Sequence, residues 1–143
     1  MRMDIRRISP DYAVAPQIEP SDFAALASEG FTTVINNRPD DEVPPSHQSA
    51  AMRDAAEAAG LTYVENPVVN GAMTMDMVET QGKALAEAEG PVFAWCRSGT
   101  RCTIVWALSQ AGKQPTDALV KAAADAGYDL AGLRGQIDQL AKG

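Results

Sequence analysis

Histidine, cysteine and positive charge are all scarce in this sequence. Its single histidine, His47, and its two cysteines, Cys96 and Cys102, cannot build a typical zinc site of Cys and His ligands without carboxylates, so no metal and no cofactor are expected. Two cysteines are also too few for a disulfide-built scaffold. The 12 Lys and Arg stand against 19 Asp and Glu, a formal charge of −7. No basic run interrupts that mean field, which repels polyphosphates and excludes nucleic acid as a partner. Nothing approaches the run of about 18 apolar residues that a membrane helix needs. Residues 1–10, with Arg2, Asp4, Arg6 and Arg7, lack the apolar centre of a signal peptide. No membrane partner and a cytoplasmic location are therefore expected, where thiols stay reduced. The two cysteines then read as chemistry or core filling rather than as a bridge. Repeats and low-complexity tracts are absent too, and nothing marks a second domain.

What remains is an ordinary globular composition, 45% hydrophobic and 22% charged over 143 residues. A chain of this size buries roughly two thirds of its surface on folding, and residues 1–143 read as one domain. Punctuation by Gly and Pro alternates strand with helix. Short strands are predicted over 5–8 and 12–15. A helix follows, N-capped by Ser21 and ended by Gly30, with Phe23, Leu26 and Ala27 on one face. The β-branched run 31–36 predicts a strand. Residues 37–47 are too polar and proline-rich for regular structure, and long ordered loops of this kind often carry function. Beyond them come a helix over 49–59, a strand over 61–65, a helix capped by Thr74 and running to Glu89, and a strand over 92–95 apolar enough to be buried on both faces. Helices over 100–111, 116–126 and 130–140 complete the pattern. Such alternation implies an α/β fold: a central, mostly parallel sheet with helices on both faces.

Cys96-Arg97-Ser98-Gly99-Thr100-Arg101-Cys102 lies where the buried strand turns into a buried helix, the place at which open α/β sheets bind ligands. Successive backbone N–H groups there can converge into an anion nest, and the helix adds the positive end of its dipole. Arg101, in the first helical turn, could fold its guanidinium over the same nest. A thiolate at Cys96 is thus expected to have a depressed pKa and to act as a nucleophile. Arg97 is either a ligand for the bound anion or a solvated loop charge. Cys102 sits inside the helix and taken alone reads as core filler.

These residues resemble a known bacterial family, the phosphatase-like domain of beta-lactamase-hydrolase-like proteins, also described as a sulfurtransferase family. The counterparts are Gln17, Asn36-Asn37-Arg38-Pro39-Asp40, Gly60-Leu61-Thr62-Tyr63, Gly90-Pro91-Val92 and the loop from Cys96 to Cys102. The resemblance spans almost the whole chain and implies a protein-tyrosine-phosphatase-like fold. Two departures from phosphatases bear on function. The arginine stands one position early, giving C-x4-R as in rhodaneses rather than C-x5-R. The segment 67–71, where dual-specificity phosphatases place a general-acid Asp, holds no carboxylate. Protonating a leaving group is worth about 10²–10⁴-fold, and sulfur transfer does not need it.

The leading expectation is therefore a sulfurtransferase. Cys96 takes sulfur from a small anionic donor, thiosulfate or a low-molecular-weight persulfide, and passes it to a thiol acceptor. Arg101 and the backbone of Arg97, Ser98, Gly99 and Thr100 hold the donor. Arg38 either adds a second charge or pairs with Asp40 or Glu42. The alternative is a cysteine-dependent phosphatase in which Asp40, or else Asp41 or Glu42, serves as the acid. A third reading is a non-catalytic anion- or persulfide-binding module, a partner for a persulfide dioxygenase, to which relatives of this domain occur fused. Cys102 replaces the family's usual Ser, which makes it a candidate resolving thiol for a persulfide or sulfenate on Cys96.

Overall fold

The computed structural model describes residues 3–142. Its first two strands, β1 (Arg6–Ser9) and β2 (Tyr12–Ala15), form an antiparallel pair. After them strands and helices alternate: α1 (Phe23–Ser28), β3 (Thr33–Asn36), α2 (Ser49–Ala58), β4 (Thr62–Glu65), α3 (Met75–Glu87), β5 (Val92–Trp95), α4 (Thr100–Ser109), α5 (Thr116–Asp125) and α6 (Arg134–Lys142). The five strands make one sheet in the order β1-β2-β5-β3-β4, and all pairings except β1 with β2 are parallel. The last strand in sequence is thus the central one, and every residue of β5 is buried, as its unbroken apolar run predicts.

Alternation along the strands divides the core in two. Ala13, Ala15, Val34, Phe93 and Trp95 face α1 and α2, with Phe23, Leu26, Met52 and Ala56. Tyr12, Val14, Ile35, Val92 and Ala94 face α3 to α6, with Val105, Leu119, Leu130 and Ile137. Trp95 meets Phe23 edge to face, Tyr63 at a tilt and Phe93 in a stack; aromatic pairs contribute about 0.5–1.5 kcal/mol beyond the area they bury.

Two local expectations are corrected. Ser21 does not cap a helix: a 3-10 turn, Pro20–Asp22, leads into α1, and the Asp22 carboxylate accepts the Glu19 N–H at 2.8 Å. Pro20, with φ already fixed for a first helical position, starts the turn one residue earlier. Residues 37–47 are not wholly irregular either, since they contain the 3-10 turns Asp40–Glu42 and Pro45–His47. No helix of the described residues is long and apolar enough to cross a membrane.

Because β2, β3, β4 and β5 run parallel, their carboxyl ends share one edge, with Ala15, Asn36 and Trp95 in register and Glu65 opposite Asn36. Four loops leave that edge together: the ones after Ala15, Asn36, Glu65 and Trp95. They bring Gln17, Arg38, Glu42, Val68 and Cys96 to one place.

Candidate active site

Cys96 follows the last residue of β5 and is fully buried. Its Sγ accepts the Gly99 N–H at 3.1 Å. That contact depends on Gly99, whose φ of 91° lies in the left-handed region open mainly to glycine. Thr103 secures the same residue from the helix side, donating through Oγ1 and N–H to the Gly99 carbonyl at 2.9 and 3.1 Å. The Cys96 thiol is pulled from an ordinary 9.0 down to about 5. A hydrogen bond from the Cys102 thiol is the largest cause; backbone N–H groups of Cys102, Ser98 and Gly99 add to it, while burial opposes. Cys102 is displaced the other way, well above its usual range, by burial and then by the neighbouring Cys96. At neutral pH the pair is one thiolate and one thiol, and only the thiolate is a nucleophile. Alkylation of Cys96 by iodoacetamide is accordingly expected to rise through a single midpoint near pH 5 and stay flat above neutrality, with Cys102 untouched in the folded protein. A midpoint near 9 in a mass-spectrometric pH series would contradict this electrostatic account.

Arg101 is buried beside this pair. Its Nη1 donates to Glu42 Oε2 at 2.9 Å and to the Val68 carbonyl at 2.7 Å, and its Nη2 to Glu42 Oε1 at 2.8 Å. A guanidinium carries five N–H donors. Three are committed here, and the two that remain, on Nε and Nη2, form one edge of the plane and match two oxygens of an anion.

Glu42, which the sequence offers either as an ion-pair partner of Arg38 or as one of three candidate acids, takes the first role. It is not poised as an acid: hydrogen bonds from Arg101 hold its carboxyl below the usual range against the opposing effect of burial, and Arg38 adds to them. Its function in the structure is to hold Arg101. Arg38 braces it in turn, donating Nε to Glu42 Oε1 at 3.2 Å and Nη2 to the Glu42 carbonyl at 3.2 Å, while Nη1 reaches Gln17 Oε1 at 3.0 Å. The Arg38 guanidinium therefore meets the site through Glu42, the pairing that the sequence offers as one of its two roles. Asp40 is also displaced from its expected role. Its Oδ1 accepts the Ser49 N–H and Oγ, both at 2.7 Å, which ties it to the start of α2. Asp41 is exposed. Arg97, Ser98 and Thr100 are exposed on the rim of the loop, with Ser98 Oγ donating to Thr100 Oγ1 at 3.0 Å and accepting the Thr100 N–H at 3.4 Å.

Beneath the loop lies a buried polar network absent from the sequence reading. Gln81 donates to Asn37 Oδ1 and Tyr12 Oη, both at 3.0 Å, and accepts from Asn37 and Asn66 at 2.9 and 2.8 Å. Tyr12 passes the chain on to the Cys102 carbonyl at 2.7 Å. Asn37 also receives the Val68 N–H on its carbonyl at 2.9 Å, which seats the very residue whose own carbonyl accepts from Arg101. A glutamine on the apolar stripe of α3, in line with Val78 and Ala84, was the available signal, because a buried amide demands partners. Among the described residues, no group of three or more His, Cys, Asp and Glu is placed to hold a metal ion.

A search against family models matches residues 4–113 to the phosphatase-like domain of beta-lactamase hydrolase-like proteins. The chain belongs to this family. A beta-lactamase hydrolase-like protein of Agrobacterium fabrum is 38% identical over 105 residues, covering 73% of the chain but only 24% of the relative, so the chain spans about a quarter of that curated relative's length. Among solved structures, a Neisseria meningitidis protein provisionally assigned as a phosphatase has a TM-score of 0.80 at 32% identity, covering 97% of this chain and 99% of its own. The active form of Tk-PTP superposes with a TM-score of 0.70 at 16% identity over 99% of each chain, a likeness of fold alone. The beta-lactamase-hydrolase-like phosphatase domain thus has the protein-tyrosine-phosphatase-like α/β architecture that the resemblance implied.

Proposed function

We propose that this domain is a cysteine-dependent phosphatase acting on phosphomonoesters with good leaving groups, aryl phosphates foremost. The supporting observation is the Cys96 thiolate seated against the Gly99 N–H and coupled electrostatically to Arg101, whose Nε has no protein partner among the described residues. In the first step Cys96 Sγ bonds to phosphorus, the ester P–O bond breaks, and the alcohol oxygen departs with the bonding pair. In the second step water attacks phosphorus, the S–P bond breaks, and inorganic phosphate and the thiolate are released with a proton lost to solvent. Backbone N–H groups and Arg101 stabilise charge on the transferring group in both steps. Glu42 is held ionised and Asp40 is tied to α2, so neither is ready to protonate the leaving oxygen. Substrates whose leaving group is stable as an oxyanion are favoured for that reason. Phosphoryl transfer takes precedence over the sulfur transfer expected from sequence because the family is described as phosphatase-like and the 32% identical Neisseria meningitidis protein is provisionally assigned as a phosphatase.

The missing acid and the C-x4-R loop favour a second reading, sulfur transfer. Cys96 thiolate attacks the outer sulfur of thiosulfate, sulfite leaves with the S–S pair, and a Cys96 persulfide remains for a thiol acceptor. Cys102 then serves as an internal acceptor. Its sulfur attacks the inner sulfur of the Cys96 persulfide as the Cys102 thiol proton passes to the departing outer sulfur, the persulfide S–S bond breaks, and hydrogen sulfide leaves behind a Cys96–Cys102 disulfide. One experiment separates the readings: rates with an aryl phosphate, thiosulfate and glutathione persulfide side by side, with rapid-quench mass spectrometry of the Cys96 peptide. A phosphoryl adduct and aryl phosphate turnover are expected. A single added sulfur, with inert aryl phosphate, overturns the phosphatase reading in favour of transfer.

A further inference from the structure

Tyr128 lies between α5 and α6, beyond the residues matched by the family model, and is buried. Its hydroxyl donates to the Ser98 carbonyl at 2.9 Å. That carbonyl belongs to the same peptide unit as the Gly99 N–H, which donates to Cys96 Sγ at 3.1 Å. In a planar trans peptide the C=O and N–H point in opposite directions. Holding the oxygen from behind therefore aims the hydrogen at the sulfur. We propose that Tyr128 is a positioning residue, which fixes the Ser98–Gly99 peptide so that its N–H, and not its carbonyl, faces the nucleophile.

Two further observations support this role. A Cβ at position 99 would stand 2.1 Å from Tyr128 Oη, so the glycine and the phenol fit as a pair. The ring itself is also anchored. The Arg6 guanidinium lies 5.2 Å from the Tyr128 ring centroid and donates to the Ala126 carbonyl at 3.4 Å, while Asp4 accepts from Arg6 at 2.9 Å. The Tyr128 N–H is bound to the Ala123 carbonyl at the end of α5, at 2.9 Å. Burial also keeps the phenol protonated, so it remains a donor throughout the neutral range. Turning the peptide over would remove one stabiliser of the thiolate and present a carbonyl dipole with its negative end toward it.

The test is Tyr128→Phe, which removes the donor and keeps the ring. The readouts are the pH midpoint of Cys96 alkylation and the affinity for inorganic phosphate, each beside a thermal melt. The expected result is a Cys96 midpoint raised by about half a unit to one unit, with phosphate binding weakened several-fold. A wild-type midpoint and wild-type phosphate affinity overturn the proposal, whatever the melt shows. Should Tyr128→Phe fail to fold, Arg6→Gln frees the ring without touching the loop. It should raise the midpoint in the same direction, and an unmoved midpoint is again decisive against. The alkylation readout reports the thiolate itself, so a failed phosphatase assay leaves this inference standing.

Discussion

Cys96→Ser is expected to lower turnover by about 10⁴-fold or more while the protein remains folded. The nucleophile is ionised at neutral pH because the site brings its pKa to about 5; a serine hydroxyl in the same place stays protonated, with the cationic Arg101 and the protonated Cys102 as its neighbours. Nucleophiles that act through a covalent intermediate show losses of this size when removed. The serine Oγ can accept the Gly99 N–H that Sγ now accepts, which leaves that buried donor paired, so the cost to stability is small. Steady-state rates on the best substrate, beside circular dichroism melts of both proteins, check it. Residual activity within tenfold of wild type would place the chemistry elsewhere.

The second large effect concerns Arg101. Arg101→Lys is expected to cut turnover about 10²–10³-fold, the size of effect seen when a donor to developing charge is lost. One guanidinium meets Glu42 through two nitrogens, meets the Val68 carbonyl, and still presents a two-donor edge. An ammonium has three donors and no plane to divide them between partners on one side and an anion on the other. Retaining the positive charge should therefore rescue little. Comparable rates for Arg101→Lys and wild type would mean that charge alone is needed and that the fork geometry is incidental.

The parts of this site readable in sequence are those built from neighbours in the chain. Cys96 to Arg101 joins an apolar strand to an apolar helix, and Gly99 supplies the turn between them, so strand pattern, break and helix pattern locate the loop by themselves. The pairing of Arg38 with Glu42 was equally local, one helical turn apart. The grip of Glu42 on Arg101 was not, because 59 positions separate the two and only the shared edge of a parallel sheet brings them together. Without that contact, an acidic residue on a loop beside a missing acid reads naturally as a proton donor. Its arginine partners invert the reading by keeping it ionised. Tyr128 carries no sequence signal at all: its neighbours mark only the end of a helix at Gly127, and its target is a backbone carbonyl, which has no side-chain signature.

The strand order has a consequence for how the molecule assembles. β5 enters between β2 and β3, which cannot pair with each other and must wait for a segment that follows them by more than fifty residues. Until it arrives, two partial sheets expose unpaired inner edges, the kind of surface through which chains misassociate. Long loop closures of this sort are slow steps. The strand that closes the gap ends immediately before Cys96, so an incompletely folded chain has the thiol but not its acidity. Nucleophilic reactivity at neutral pH is in this sense acquired together with the final closure of the sheet.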